Sequence, residues 1–112
     1  MNISIVHKIS ILYKNLYKLS HKISKRDKFG IFLKVESACL TSLTLAIKAA
    51  LSNKTEKSRI ILELRVVIEL LKQLIRTMFE LEIISQDKYL ETEKDLREIS
   101  QMSAGWLKYA QQ

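Results

Sequence analysis

Residues 64–84 read LRVVIELLKQLIRTMFELEII, and they carry more apolar surface than one helix face can hold. The hydrophobic side chains recur at steps of three and four residues, which is the period of an α-helix. They cover about half of the helical cylinder, whereas a bundle helix needs a stripe of only about 100°. We therefore predict a long helix that is buried on two sides, against its own bundle and against another subunit. The arc consists of Val67, Leu70, Leu71, Leu74, Ile75, Met78 and Leu81.

Four helices are predicted in all, and residues 64–84 belong to the third. The first covers about residues 3–23, the second about 28–51, the third about 56–84, and the fourth starts after Ser85. Asp27, Thr55 and Ser85 are the predicted caps or first-turn residues of the last three helices. The connections are short, which favours antiparallel neighbours. The predicted fold is all-α, an up-down-up-down four-helix bundle that forms one domain over residues 1–112.

Each predicted helix has an apolar stripe at helical spacing. In the first helix it is a regular seam of Ile5, Ile9, Leu12, Leu16, Leu19 and Ile23. The second helix has Phe29, Leu33, Leu40, Leu43, Ile47 and Leu51, interrupted by Glu36. The fourth helix has Tyr89, Leu96, Ile99, Met102, Ser103, Trp106 and Ala110. We expect these stripes to form the core.

Composition supports a helical protein that works without chemistry of its own. The 112 residues include no Pro, two Gly and one Cys, and 47% are hydrophobic. A single cysteine, Cys39, forms no internal disulfide, which favours a reducing, cytoplasmic setting. Charged residues interrupt the apolar runs, so we expect no membrane-spanning segment and no membrane partner. His7 and His21 are too far apart to share a metal, and we expect no catalytic residues, no metal and no cofactor.

The net charge of +7 is concentrated near the start of the chain. Residues 1–28 contain seven Lys or Arg and one acid, Asp27. Such a face attracts polyanions, and nucleic acid is the first candidate. An ordinary solvated surface is the alternative, although it would usually mix both signs of charge. The candidate nucleic-acid contacts are Lys14, Lys18, Lys22, Lys25, Arg26 and Lys28.

Other residues have two possible roles each. Tyr13 and Tyr17 lie at the margin of the first seam, where they either stack on bases or pack against the protein. Glu36 needs a basic partner if it faces inward. Arg65, Lys72 and Arg76 lie on the polar strip of the third helix and are candidate contacts for a protein partner or RNA.

The order of these segments resembles the accessory variability determinant (Avd) family of diversity-generating retroelements. The similarity is strongest from Lys28 to Glu36, from Leu71 to Ile84, and over Gly105-Trp106-Leu107-Lys108. It implies a homopentameric barrel of four-helix protomers with a basic outer surface. It also implies binding to a reverse transcriptase and its template RNA, and possible binding to DNA, in support of mutagenic cDNA synthesis.

Three alternatives stay open beside that resemblance. A related bundle family is encoded in intervening sequences of 23S rRNA genes, but its Asn-Ile-Ala-Glu-Gly-type signature is not matched by residues 46–51. A structural or protein-interaction bundle without a nucleic-acid role is the second. An antitoxin-like or membrane-surface module is a weaker third idea.

Overall fold

Four long α-helices account for most of the chain in the computed structural model, which describes residues 3–112. They are α1 (Ile3–Leu19), α3 (Ile31–Leu51), α4 (Lys54–Glu80) and α5 (Gln86–Ala110). A 3₁₀ turn (Ser20–Lys22) and the one-turn helix α2 (Lys25–Lys28) connect α1 to α3. No strand occurs within residues 3–112. The prediction of an all-α protein is therefore confirmed.

The packing of the helices leaves one side of the molecule open. α4 packs along both α3 and α5, while α1 packs on α3 and more sparsely on α5. The molecule measures 45 × 22 × 19 Å. Its long dimension is close to the length of α4, since 27 residues at 1.5 Å each span about 40 Å. The sparse contact between α1 and α5 leaves a cleft between them.

The helix starts follow local hydrogen bonding. Ser85 caps α5 as predicted, because its Oγ accepts a hydrogen bond from the backbone N–H of Lys88 at 3.2 Å. The cap of α4 is Asn53, whose Oδ1 accepts from the N–H of Glu56 at 3.0 Å. The prediction of Thr55 was wrong, since the helix begins at Lys54 and places Thr55 inside its first turn. Asparagine accepts the same hydrogen bond as threonine and is at least as good a cap.

Two predicted helix ends lie too far along the chain. α4 stops at Glu80 rather than Ile84, because Glu82 adopts a left-handed φ of 61°. The N–H of Ile83 donates to the carbonyl of Met78 at 2.8 Å, and that of Glu82 donates to Phe79 at 2.9 Å. These two bonds form a Schellman motif, which closes a helix. α1 similarly ends at Leu19, although the seam residue Ile23 is still buried.

The second predicted helix is divided by Gly30. α2 ends at Lys28, and α3 starts at Ile31 rather than continuing from Lys28. A Cβ on Gly30 would lie 3.1 Å from the carbonyl oxygen of Arg26, so glycine permits a close approach of the chain to itself there. Gly105 has no neighbour within 4 Å of such a Cβ and so permits no closer helix packing within residues 3–112.

The core contains most of the predicted seams. The α1 seam is buried except for the partly buried Leu19, and α5 buries Leu96, Ile99 and Trp106. On α4, the side chains of Leu71, Ile75 and Met78 are buried, together with Ile60, Ile61, Leu64 and Ile68. Leu70 and Leu81 of the predicted arc are exposed.

The predicted stripe of the second helix was wrong. Of its six residues only Leu43 packs against the core, and Phe29, Leu33, Leu40, Ile47 and Leu51 are exposed. The buried side of α3 consists of Phe32, Val35, Ala38, Cys39, Ser42, Ala46 and Ala49. Most of these side chains are small, which lets helices approach closely. α3 thus has two apolar sides at helical spacing, and the side with the smaller residues faces the core.

This second apolar side also changes the expectation about membranes. The stretch Lys25–Leu51 is long and apolar enough to cross a membrane by length and composition, with a mean hydropathy of 1.5 in its best window. The expectation that charged residues interrupt the apolar runs too often for a span was therefore wrong for this stretch. Core helices of globular proteins have similar compositions, so the finding assigns no membrane role by itself. Only 33% of that window is buried, however, which leaves an apolar surface to be explained.

Candidate nucleic-acid interface

The six basic residues predicted to contact nucleic acid are all exposed. Lys14 and Lys18 belong to α1 and Lys22 to the 3₁₀ turn, while α2 contributes the other three, Lys25, Arg26 and Lys28. Successive lysines at i and i+4 on α1 rise about 6 Å along the helix axis. The three elements are consecutive, so the residues form one continuous basic segment, here called the basic flank.

Acids neutralise little of the basic flank. Arg26 pairs with Asp27 through Nε and Oδ1 at 3.3 Å. Among residues 3–112, no carboxylate lies within ion-pair distance of the five lysines. Unpaired lysines in water keep their full attraction for phosphate, because no internal partner must first be displaced. The basic flank therefore suits backbone-directed binding to a polyanion.

The turn that presents the end of the basic flank has a defined structure. The Oγ of Ser24 accepts a hydrogen bond from the N–H of Asp27 at 3.3 Å and donates to its Oδ2 at 3.0 Å. This reciprocal pairing resembles a capping box and fixes the start of α2. Asp27 thus has a structural role at the first turn, as predicted for an acid near a helix start.

A cleft of about 250 Å³ between α1 and α5 adjoins the basic flank. Lys18 and Lys22 line it together with Lys88 of α5, which is not among the predicted contact residues. Nothing in the sequence indicated Lys88, because its position opposite α1 depends on tertiary packing. Glu91 and Asp95 also line the cleft, and burial raises the pKa of Asp95 above its usual value. The cleft is therefore mixed in charge, unlike the outer surface of the basic flank.

Lys8 differs from the other lysines of α1. Its Nζ lies 2.5 Å from Oε2 of Glu98, and this hydrogen bond raises the pKa of Lys8 and lowers that of Glu98. Lys8 is thus an anchor between α1 and α5.

The three basic residues predicted on the third helix form a second, separate group. Arg65, Lys72 and Arg76 all lie on α4, whose main neighbours are α3 and α5 rather than α1. Lys72 pairs with Glu69 at 3.1 Å, and Arg76 lies 3.9 Å from Glu80. Arg65 is half-buried, and its Nε has no hydrogen-bond partner among the described residues. The structure does not join this group to the basic flank.

The two tyrosines of α1 lie in different surroundings, which bears on whether each packs against the protein or stacks on a base. Their rings lie 6.4 Å apart at 43°, but only Tyr13 packs against the core. Tyr17 is 57% exposed next to Lys18 and is accessible for stacking on a base. We assign packing to Tyr13 and keep base stacking as a prediction for Tyr17.

Other reactive groups have ordinary structural surroundings. Cys39 is buried, and desolvation raises the pKa of its thiol to about 12, so it is a poor nucleophile. His7 and His21 are exposed. The described part of the chain contains no group of three or more His, Cys, Asp or Glu side chains that could hold a metal ion.

The fold and the basic flank define a class: small, basic, all-α proteins built from four long helices. A comparison with family models is more specific, because the model of the bAvd-like family matches residues 3–110. The chain belongs to this family. A search of curated proteins finds no match.

Proposed function

We propose that this protein is a non-enzymatic accessory subunit of a diversity-generating retroelement. In this role it binds the reverse transcriptase and the template RNA and supports mutagenic cDNA synthesis. The proposal also includes a cytoplasmic setting, an up-down-up-down order of the helices and assembly into a homo-oligomer, with a pentamer suggested by the family resemblance. Membership of the bAvd-like family supports the accessory role.

One observation carries the RNA-binding part of the proposal. Five exposed lysines lie on consecutive elements with no carboxylate within ion-pair distance among residues 3–112. Binding through such residues is directed to phosphates and is independent of sequence. Specificity for one RNA would then come from the polymerase complex. Arg76, which is exposed on α4, is the most accessible residue of the second basic group for contact with the polymerase.

The salt dependence of RNA binding tests this function. We expect the triple variant Lys14→Gln, Lys18→Gln and Lys22→Gln to bind template RNA more weakly than the wild type. The slope of log K against log salt should flatten by about 2, because each lost contact with single-stranded phosphate removes about 0.7. Fluorescence anisotropy with labelled RNA over a salt series measures both quantities.

A matched variant separates the basic flank from overall charge. Replacing Lys54, Lys94 and Lys108 by Gln removes the same three charges from the +7 of the wild type, outside the basic flank. This control should keep nearly the wild-type slope. Equal losses in the two triple variants would show that only net charge matters. Failure of the wild type to retain RNA at low salt would favour the alternative hypothesis of a bundle that binds only proteins.

A further inference from the structure

The outward side of α3 carries a second helix-packing seam whose side chains stay exposed within residues 3–112. Its residues follow one another at steps of four and three, which is the spacing of a helix-helix interface. All of them are exposed. This α3 ridge consists of Leu33, Ser37, Leu40, Thr44, Ile47 and Leu51. Apolar side chains in such a row indicate an interaction site rather than an ordinary surface.

Grooves flank the α3 ridge on both sides. The α3/α4 groove has a volume of about 320 Å³ and is lined by Lys34, Val67, Leu70 and Leu74, among others. The groove toward α1, of about 500 Å³, includes Glu36. The small residues Ser37 and Thr41 line both grooves, which leaves room for side chains from outside. One face of the molecule therefore offers both a ridge and grooves of the kind that ridges fill.

Charges around the α3 ridge differ between its two flanks. Lys34 lines the α3/α4 groove, and helical spacing places Lys48 on the same side of α3, whereas Glu36 lines the groove toward α1. Glu36 is the one acid of α3, and it has no ion pair among residues 3–112. A carboxylate beside an apolar surface gains from a basic partner when that surface is covered. The complementary flanks match a second copy of the same chain.

The position of the basic flank also favours self-association through α3. Two molecules of charge +7 repel each other wherever their lysine-rich surfaces meet. Helix α3 has two lysines and one glutamate, whereas the repulsive lysines lie on α1, the 3₁₀ turn and α2. A strongly acidic or basic partner would find little complementary charge on this face.

We propose that the α3 ridge of one copy docks into the α3/α4 groove of the next copy, with Glu36 of the first facing Lys34 of the second. The contact is head-to-tail, since ridge and groove are different surfaces, and such contacts close into rings when the rotation permits. This inference rests on the proposed self-association and names the residues that produce it. Such a contact would cover part of the apolar stretch Lys25–Leu51, whose most apolar window is only 33% buried in the protomer.

Replacement of one ridge leucine by a charge tests the location. Multi-angle light scattering should give several protomers for the wild type and a monomer for Leu40→Lys, because a lysine cannot be buried in the groove without a partner. Leu90→Lys on α5 is the matched control, since Leu90 is 52% exposed and Leu40 is 43% exposed. The control should keep the wild-type mass. Far-UV circular dichroism reports whether each variant retains its helices.

Charge reversal tests the direction of the contact. Glu36→Lys should reduce the assembled fraction, and the double variant Glu36→Lys, Lys34→Glu should restore it. No restoration in a folded double variant would overturn the head-to-tail pairing. An unchanged mass for a folded Leu40→Lys variant would overturn the location on α3, because the protein would then assemble through another surface.

The same samples separate this inference from the proposed function. A monomeric wild type that still retains RNA would overturn the α3 contact and leave the RNA-binding role intact. An α3-dependent assembly that fails to retain RNA would support the α3 contact and overturn the RNA-binding role. Flotation with phosphatidylglycerol vesicles adds a third outcome, since lipid binding by a monomer that Leu40→Lys abolishes would assign the ridge to a membrane surface and overturn the proposal.

Discussion

At the scale of single residues, the conformation of Glu82 shows how a helix can end without glycine. Its φ of 61° is uncommon for a residue with a side chain and costs about 1 kcal/mol. The cost is offset by the two Schellman hydrogen bonds and by the burial of Ile84 just beyond. The turn therefore contains strain that a substitution can remove.

Glu82→Gly should stabilise the protein by about 0.5–1 kcal/mol, because glycine adopts this φ without the steric cost of a Cβ. Urea unfolding followed by circular dichroism measures the change. Gln73→Gly, at an exposed position inside α4, is the control and should destabilise by about 1 kcal/mol. If both variants are less stable than the wild type, the left-handed φ of Glu82 does not reduce the stability of the protein.

The ion pair between Lys8 and Glu98 makes a pH-dependent contribution to the free energy of unfolding. The hydrogen bond from Lys8 lowers the pKa of Glu98 below its usual 4.5. Its stabilisation is therefore present above pH 4.5 and is lost as the pH falls through the pKa of the folded protein. Asp95 acts in the opposite sense, because burial raises its pKa and its contribution is lost as the pH rises.

Lys8→Gln should lower the urea midpoint at pH 7, and the difference from wild type should shrink as the pH falls below 4.5. Removal of Lys8 also raises the pKa of Asp95 further, since Lys8 lowers it in the wild type. Lys14→Gln removes the same charge from α1 at a position without an acid in ion-pair distance, and its effect should not depend on pH in this range. Parallel curves for both variants would contradict the assigned role of Glu98.

At the scale of elements, the sequence predicted helices where one apolar stripe dominates and misassigned a face where two compete. The seam of α1 has a single solution, so its buried residues were predicted correctly. On α3 the larger side chains, such as Leu40, suggested the core, yet the smaller Ala46 and Cys39 occupy it. Periodicity cannot rank two stripes on one helix, because the choice depends on how closely the neighbouring helix approaches. The sequence also did not indicate Lys88, because its position in the cleft beside the basic flank depends on how α5 packs against α1.

This reversal can be tested within α3. Ala46→Leu should destabilise the protomer by about 1–3 kcal/mol, because it adds volume to a packed interior. Leu40→Ala, which removes a larger side chain from the exposed side, should change stability by less than about 0.5 kcal/mol in dilute solution. Urea unfolding at low protein concentration separates these effects from assembly. A larger loss for Leu40→Ala would return this leucine to the core.

At the scale of the whole molecule, the exposed apolar surface and the basic surface lie on different helices. The basic flank belongs to α1, the 3₁₀ turn and α2, and the exposed α3 ridge belongs to α3. Assembly through α3 would therefore gather several basic flanks in one particle without burying them. Linked binding sites hold a long polyanion more tightly than one site does.

Leu40→Lys adds a positive charge, yet we expect it to bind long template RNA more weakly than the wild type. The loss should be at least tenfold for RNA that spans several protomers and small for an oligonucleotide that occupies one. Anisotropy with the two RNA lengths under one salt condition measures this contrast. Equal affinities of variant and wild type for the long RNA would indicate that each protomer binds alone.

The burial of Trp106 in α5 has a practical consequence for all of these measurements. It is the one indole of the chain, and its side chain is 7% exposed within the packed interior. Its emission spectrum thus comes from a single known place and shifts to the red when water reaches that place. The protein carries its own optical reporter, which allows a variant that fails to assemble to be distinguished from one that has lost its interior, without any added dye.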